Sequence, residues 1–194
     1  MLHPGARSPR VGVIQNALDC YTDLTRRRVE LAREFGELAS IGLSPEELDL
    51  RMYFGKQDKL RQQIAELGYL WVVGGNTFVL RKAFAQCGFD SIIQDLCRRE
   101  DFIYAGYSAG VCVLGPTLHG IHLADDPDAV ATGYAEGIIW EGLKLLPYCI
   151  APHYKSDHHE TELIDLSVAY YIDHKIPFVA LRDGEALVLD TNEL

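Results

Sequence analysis

The chain has 194 residues, of which 48% are hydrophobic and 24% are charged, which fits a globular protein with a substantial core. Its formal net charge of -10 at pH 7 argues against nucleic acid or an anionic membrane as a partner. Five scattered cysteines and the lack of a signal-like or membrane-spanning apolar run predict reduced thiols and a cytoplasmic location. We predict a single domain over residues 1–194, with residues 1–10 loosely held.

The first half of the chain alternates short apolar runs with amphipathic stretches. Residues 11–16 are typical of a short buried strand, and residues 69–73 form a continuous apolar run of strand length. Such strands, alternating with helices of about ten residues or more, indicate an α/β fold with a mostly parallel sheet covered by helices on both faces. Helices are predicted at residues 23–40, 59–67, 78–87 and 90–99, and a further helix start at Ser44, Pro45 and Glu47.

Residues 102–117, FIYAGYSAGVCVLGPT, contain the pattern G-x-S-x-G between an apolar run and a small-residue segment. Strand, turn and helix in that order are the context of a nucleophile elbow, with Ser108 at the tip of a sharp turn. The neighbours two residues away must lack bulk, and the amide of Ala109 would face a developing oxyanion. The five residues alone fit a tight connection with an incidental serine equally well, and the context favours the nucleophile.

A second glycine turn, Gly74-Gly75-Asn76-Thr77, follows the strand at 69–73. Functional groups of parallel sheets gather at the carboxyl ends of the strands, so the two glycine turns are expected to form two walls of one site. The turn matches neither a Walker loop nor G-x-G-x-x-G, which leaves phosphate binding as the weaker use. We expect the Gly75 amide to act as the second oxyanion donor, and Asn76 and Tyr107 to contact substrate.

The second half is predicted as a polar loop, an apolar strand, a helix and a hairpin. The loop covers residues 118–134, the apolar run covers 143–150 and the helix covers 160–174. Two β-rich runs flank Asp183-Gly184 within residues 178–189, and an Asp-Gly pair in that setting is a strong hairpin signal.

A serine nucleophile requires a base, and the base requires an orienting group. His153 is the best candidate for the base, because it follows an apolar strand and so reaches the same rim as Ser108. His158 and His159 come shortly after it, and His119 and His122, in the loop after the elbow, are weaker candidates.

The acid is expected in the Asp125-Asp126-Pro127-Asp128 segment, although at least one of these aspartates is expected to serve only as a turn or cap. A zinc site is an alternative use of His153, Asp157, His158, His159 and Glu160. No H-E-x-x-H spacing or cysteine pair supports it, so neither metal nor cofactor is predicted.

The glycine turn, the elbow, the aspartate loop and the histidine segment together resemble those of the dipeptidase E and cyanophycinase group of serine peptidases. The matching motifs are VVGGNTFVL (72–80), YAGYSAGVCVLGPT (104–117), ADDP (124–127), PHY (152–154) and HHETE (158–162). The resemblance implies a flavodoxin-like fold similar to class I glutamine amidotransferases and a cofactor-free cytoplasmic exopeptidase. It implies Ser108 as nucleophile, His153 as base, Asp125 or the adjacent Asp126 as acid, and the amides of Gly75 and Ala109 as oxyanion hole.

The chain departs from that group at two places. Glu162 stands where dipeptidase E has an arginine associated with recognition of an acidic side chain, so aspartyl specificity is not expected. His158 and Glu162 are the remaining predicted substrate contacts. Members of the group also begin with an apolar strand before the one at residues 11–16, and its absence is expected to leave a gap in the sheet.

The favoured hypothesis is therefore a serine peptidase that cleaves short peptides. An esterase or amidase using the same serine and an inactive binding module on the same fold remain alternatives. The expected partner is a small peptide, with no nucleic acid and no membrane, and a homodimer is left open.

Overall fold

The computed structural model describes residues 8–190, apart from the side chains of Leu24 and Arg26. The predicted loose segment covers residues 1–10, and its residues 1–7 lie outside the described residues. Arg10, however, already belongs to the first strand. The elements in chain order are β1 (Arg10–Ile14), α1 (Leu24–Ser40), β2 (Ser44–Glu47), α2 (Gln57–Ala65), β3 (Tyr69–Val72), α3 (Thr77–Cys87), α4 (Phe89–Leu96), β4 (Ile103–Gly106), α5 (Ala109–Cys112), β5 (Cys149–Ala151), α6 (Thr161–Asp173) and β6 (Phe178–Ala180).

Four strands form a parallel sheet in the order β2-β1-β3-β4, and β5 and β6 form a separate parallel pair. Because β1 pairs with β2 on one side and with β3 on the other, the expected gap does not appear within this sheet. The predicted α/β fold with a mostly parallel sheet is confirmed.

Helices cover both faces of the four-stranded sheet. On one face, Val11 and Val13 of β1 pack with Leu38 of α1. On the other face, Ile14 packs in a larger cluster that includes Leu60 of α2 and contributions from α3 and α4. Alternate residues of β1 thus enter different cores, as the pleat of a strand requires. A third cluster joins α6 to β5 and the segment after the elbow.

Two predicted elements differ from the structure. Ser44–Glu47 is a strand rather than a helix start, because pairing with β1 outweighs the local capping signal. Pro45 is tolerated there because β2 is the edge strand and needs hydrogen bonds on one side only.

The predicted C-terminal hairpin is also wrong. β6 pairs in parallel with β5, and Asp183-Gly184 forms a turn closed by the Glu185 amide donating to the Arg182 carbonyl over 3.0 Å. Within the described residues, no strand returns after this turn. The Asp-Gly signal identified the turn correctly but not its setting, since the neighbouring strand β5 comes from a distant part of the chain.

The elbow after β4 lies directly against the end of β3. The Tyr107 amide donates to the Val72 carbonyl over 3.2 Å. A Cβ added to Gly106 or Gly110 would lie 2.5 or 2.2 Å from that same carbonyl oxygen. Both glycines of G-x-S-x-G are therefore required by the close approach of two backbones.

We predict that Gly110→Ala lowers the free energy of unfolding by about 3 kcal/mol or more, because neither backbone can move without breaking the sheet. The matched control is Gly36→Ala in α1, where an added Cβ meets nothing within 4 Å. It should stabilise the protein by about 0.5–1 kcal/mol through its helix propensity. Urea unfolding measures both, and a Gly110→Ala protein as stable as the wild type would contradict this account of the elbow.

Candidate active site

Ser108 occupies the strained conformation expected of an elbow nucleophile. Its φ is 49° and its ψ is -121°, and it immediately precedes α5. A positive φ is unfavourable for a residue with a side chain and persists only when the surroundings enforce it. Gly74 allows it, since a Cβ at that position would lie 2.9 Å from the Cβ of Ser108.

Ser108 and His153 line the same two cavities, so the structure brings them to one cleft. The polar cavity has a volume of about 350 Å³ and includes Gly75, His158 and Glu160. The apolar cavity has a volume of about 340 Å³, and its lining includes Val111, Leu114, Leu146, Ile150 and Leu181. Ser108 follows β4, His153 follows β5 and Leu181 follows β6, so the carboxyl ends of strands from both sheets border the apolar cavity.

His153 is held by a carboxylate from the segment after β6. Its Nδ1 lies 2.6 Å from Asp183 Oδ1, and its ring stacks on that of His158 with a centroid separation of 3.8 Å and an interplanar angle of 7°. Its side chain is 14% exposed, against 47% for Asp183. Since Asp183 engages Nδ1, Nε2 is the nitrogen available to exchange a proton. No hydrogen bond joins Ser108 to His153 in the part of the chain that the structure describes.

The structure does not bring Asp125 or Asp126 to His153 as a hydrogen-bond partner. Asp125 Oδ2 accepts from the Thr77 amide at 2.9 Å, at the start of α3. The Asp126 carboxylate accepts from the Asp128 amide at 3.0 Å, and the Asp126 carbonyl accepts from Asn76 at 2.9 Å. The segment therefore caps and ties a helix, and the carboxylate on His153 is Asp183. His153 is predicted because it follows a strand, and the same reasoning applies to Asp183, which follows β6 but is predicted only as a turn residue.

Two predicted substrate contacts have other partners in the structure. Asn76 is 4% exposed, and its Oδ1 caps α3 by accepting from the amides of Phe78 and Val79. Glu162 is exposed in the first turn of α6 and is not among the residues that line the two cavities. The structure thus provides no contact through which either residue would reach a substrate beside Ser108.

Tyr107 and His158 do line the polar cavity. The Tyr107 hydroxyl donates to the buried carboxylate of Glu34 at 3.0 Å, and burial followed by the nearby Glu34 charge raises the pKa of Tyr107 well above its usual value. His158 accepts from the Glu160 amide at Nδ1 over 3.2 Å. Burial, followed by the neighbouring His153, lowers the pKa of His158, so it is favoured as the neutral imidazole.

Gly75 lines the polar cavity together with Ser108, and Ala109 directly follows Ser108 in the chain. Gly75 has a φ of 136°, and a Cβ there would lie 2.7 Å from the Ala17 carbonyl oxygen, so only glycine fits this turn. The Ala109 amide begins α5 and therefore has no acceptor within its own helix. His119 and His122 belong to a separate aromatic group, in which His119 stacks on Trp140 and His122 meets it edge-on, and they line neither cavity.

The fold and the elbow define an α/β protein with a serine site at the carboxyl edge of its sheet. The model of peptidase family S51 matches residues 28–194, and the chain belongs to that family. This confirms the resemblance to the dipeptidase E group.

Individual relatives agree with this assignment. The chain is 29% identical over 131 residues to a probable alpha-aspartyl dipeptidase of Drosophila melanogaster, covering 65% of this chain and 51% of the relative. It is 28% identical over 120 residues to an uncharacterized peptidase of Listeria innocua, covering 61% and 54%. The chain thus spans about half the length of these curated relatives.

A solved structure shows that the fold is shared. A candidate peptidase E protein from Listeria monocytogenes superposes with a TM-score of 0.68 at 21% identity, over 92% of this chain and 80% of that one. As for membrane association, the helices of the described residues are all too short or too polar to span a bilayer.

We predict that Asp125 makes stability depend on pH. Burial raises the pKa of its carboxyl to about 6, whereas an unfolded aspartate has a pKa of about 3.9. The folded state therefore favours the protonated carboxyl, and this contribution, complete below about pH 4, is lost as the pH rises through 6. Asp125→Asn should become more stable relative to wild type by up to about 3 kcal/mol between pH 4 and pH 7.5.

Chemical denaturation across that pH range measures the effect, with exposed Asp128→Asn as the matched control. Parallel stability profiles for wild type and Asp125→Asn would show that the carboxyl is already ionised at pH 4 in the folded protein, contrary to the prediction.

Proposed function

We propose that this chain is a serine peptidase that hydrolyses short peptides through Ser108, His153 and Asp183. The observation that carries the proposal is the combination of a strained elbow serine with a carboxylate-bound histidine on the rim of one cleft. Membership of a peptidase family favours the same reaction class.

In the proposed mechanism the Ser108 hydroxyl attacks the scissile carbonyl while His153 Nε2 accepts its proton. The amides of Gly75 and Ala109 stabilise the oxyanion of the tetrahedral intermediate. His153 then gives the proton to the departing amine as the C–N bond breaks and leaves an acyl-enzyme. Water, deprotonated by the same imidazole, releases the acid and restores Ser108. Asp183 keeps the proton of the neutral ring on Nδ1 and stabilises the imidazolium formed in each step.

The cavity charges argue against an aspartyl side chain as the recognised group. Glu30 and Glu160 line the polar cavity, and its one arginine, Arg33, is paired with Glu34 at 2.8 Å and Glu37 at 3.8 Å. The carboxylate of a substrate aspartyl side chain would be repelled by these groups, whereas the ammonium group of a peptide would be attracted. We therefore propose substrates whose residues are neutral or basic, rather than those named for the Drosophila relative.

An esterase is the second candidate, because the apolar cavity beside Ser108 offers aliphatic side chains that suit an acyl chain. Both candidates use the same serine and differ in the leaving group. Comparing p-nitrophenyl esters with dipeptides separates them, since a large preference for esters would favour the esterase.

We predict that Ser108→Ala abolishes hydrolysis of a dipeptide panel, with a loss of several orders of magnitude in kcat. The panel should contain neutral, basic and acidic first residues, and acidic ones are expected to be the poorest. Equal rates for the wild type and Ser108→Ala would remove Ser108 from the mechanism.

The acid is tested by a matched pair of substitutions. Asp183→Asn should lower kcat by about 10²–10⁴-fold with little change in KM, because the ring loses the partner that fixes its tautomer. Asp126→Asn changes an exposed aspartate of the 125–128 loop, which the sequence predicts to hold the acid. This variant should change kcat by about twofold or less. The reverse ranking of the two variants would return the acid to the loop and contradict the pairing seen here.

A further inference from the structure

Three side chains next to Ser108 form a group with the geometry of a metal site. One ligand atom from each of His153, His158 and Glu160 lies within 4.8 Å of the other two, and all three residues are partly buried. Among residues 8–190 this is the only group of three or more histidine, cysteine or acidic side chains with such spacing. It lies in the polar cavity, which also contains Ser108.

We propose that His153, His158 and Glu160 bind Zn²⁺, and that the bound ion inhibits the enzyme by occupying its base. The ion is a regulatory ligand in this proposal and takes no part in hydrolysis. The proposed inhibition by zinc rests on the proposed function, whereas the proposed binding of zinc does not.

One of the three ligand distances is already close to that of a zinc site, and the other two are at most 4.8 Å. His158 Nδ1 lies 3.8 Å from Glu160 Oε2. Tetrahedral ligands at Zn–N and Zn–O distances of about 2.0–2.2 Å are roughly 3.4 Å apart, so these two atoms must approach by only a few tenths of an ångström. Rotation of partly exposed side chains provides that movement. Three protein ligands leave a fourth position, which the cavity of about 350 Å³ can fill with water.

Each of the two rings has a nitrogen that zinc can bind. Asp183 holds Nδ1 of His153, which leaves Nε2 for the ion, and a carboxylate behind a histidine is the usual arrangement around zinc-binding imidazoles. His158 Nδ1 accepts an N–H from Glu160 and is therefore unprotonated. That hydrogen bond is 3.2 Å long, and zinc would replace it with a stronger bond.

The chemistry of the group favours zinc over harder cations. Two imidazoles and one carboxylate are ligands typical of Zn²⁺, whereas Mg²⁺ and Ca²⁺ prefer all-oxygen sites. The cavity also contains Glu30, and Asp183 lies behind His153, so a cation enters a region of negative charge.

Zinc at this position would use the lone pair of His153 Nε2 that must accept the Ser108 proton. Hydrolysis would stop while the ion is bound and resume when a chelator removes it. Since the ion and the scissile carbonyl both require the space between Ser108 and His153, inhibition should be competitive with substrate.

Binding is tested in a tag-free Ser108→Ala protein, so that the outcome is independent of catalysis. Calorimetric titration with ZnCl₂ should show one ion per chain, and Co²⁺ should give the visible absorption of a tetrahedral site with nitrogen ligands. Adding Glu160→Gln or His158→Asn should weaken zinc binding at least tenfold. Adding Glu162→Gln, which alters an exposed carboxylate two residues away, should leave binding unchanged. Circular dichroism shows whether each variant is folded.

The proposal is overturned if no stoichiometric zinc binds, or if Glu160→Gln and His158→Asn both bind as tightly as Glu162→Gln. In the Ser108-containing protein, zinc should inhibit peptide hydrolysis, EDTA should restore it and Mg²⁺ should have no effect. Zinc that binds at this group without inhibiting would refute the inhibitory half alone. A protein that binds zinc but hydrolyses no peptide would refute the proposed function and leave the metal site standing.

Discussion

The site depends on the contact between the elbow and the carbonyl oxygen of Val72. That oxygen accepts a hydrogen bond from the Tyr107 amide. It also lies so close to Gly106 and Gly110 that a Cβ at either position would clash with it. Where the turn packs against β3 in this way, Ser108 leads the chain into α5 with a positive φ. A change that loosens the pairing of β3 with β4 is therefore expected to disturb the backbone conformation of Ser108.

The remaining groups reach Ser108 because every strand of the two sheets is parallel to its neighbours. Gly75 follows β3, Ser108 follows β4, His153 follows β5 and Asp183 follows β6. None of these groups is near another in the chain, and each follows the carboxyl end of a parallel strand. The four-stranded sheet and the separate pair can therefore together bring a glycine turn, a serine, an imidazole and a carboxylate to one cleft. In the same cleft the His158 ring stacks on that of His153, and Glu160 lies close enough to both to form the proposed zinc site.

The sequence predicted those parts of the site that have a local signature. G-x-S-x-G predicts Ser108 because its glycines answer a steric need within five residues, and the apolar run before His153 predicts its place at a strand end. Asp183 was not predicted as the partner of His153, because Asp-Gly between two β-rich runs is an equally local signal for a hairpin. Only the pairing of β6 with β5 shows that the hairpin does not form. Ser44–Glu47 failed for the same reason: its capping pattern is local, and its strand pairing is not. Asp125 is predicted as the acid from the 125–128 loop and from the resemblance, and Asn76 as a substrate contact in the second glycine turn, whereas in the structure both hold the start of α3.

The central claim is that the imidazole of His153 activates the hydroxyl of Ser108. Covalent labelling by a fluorophosphonate, followed by intact-protein mass measurement and peptide mapping, tests it without any knowledge of the substrate. The account predicts one adduct per chain, located on Ser108, and a labelling rate that falls by orders of magnitude in His153→Gln. An unlabelled protein, an adduct on another residue, or a His153→Gln variant labelled as fast as wild type would contradict it.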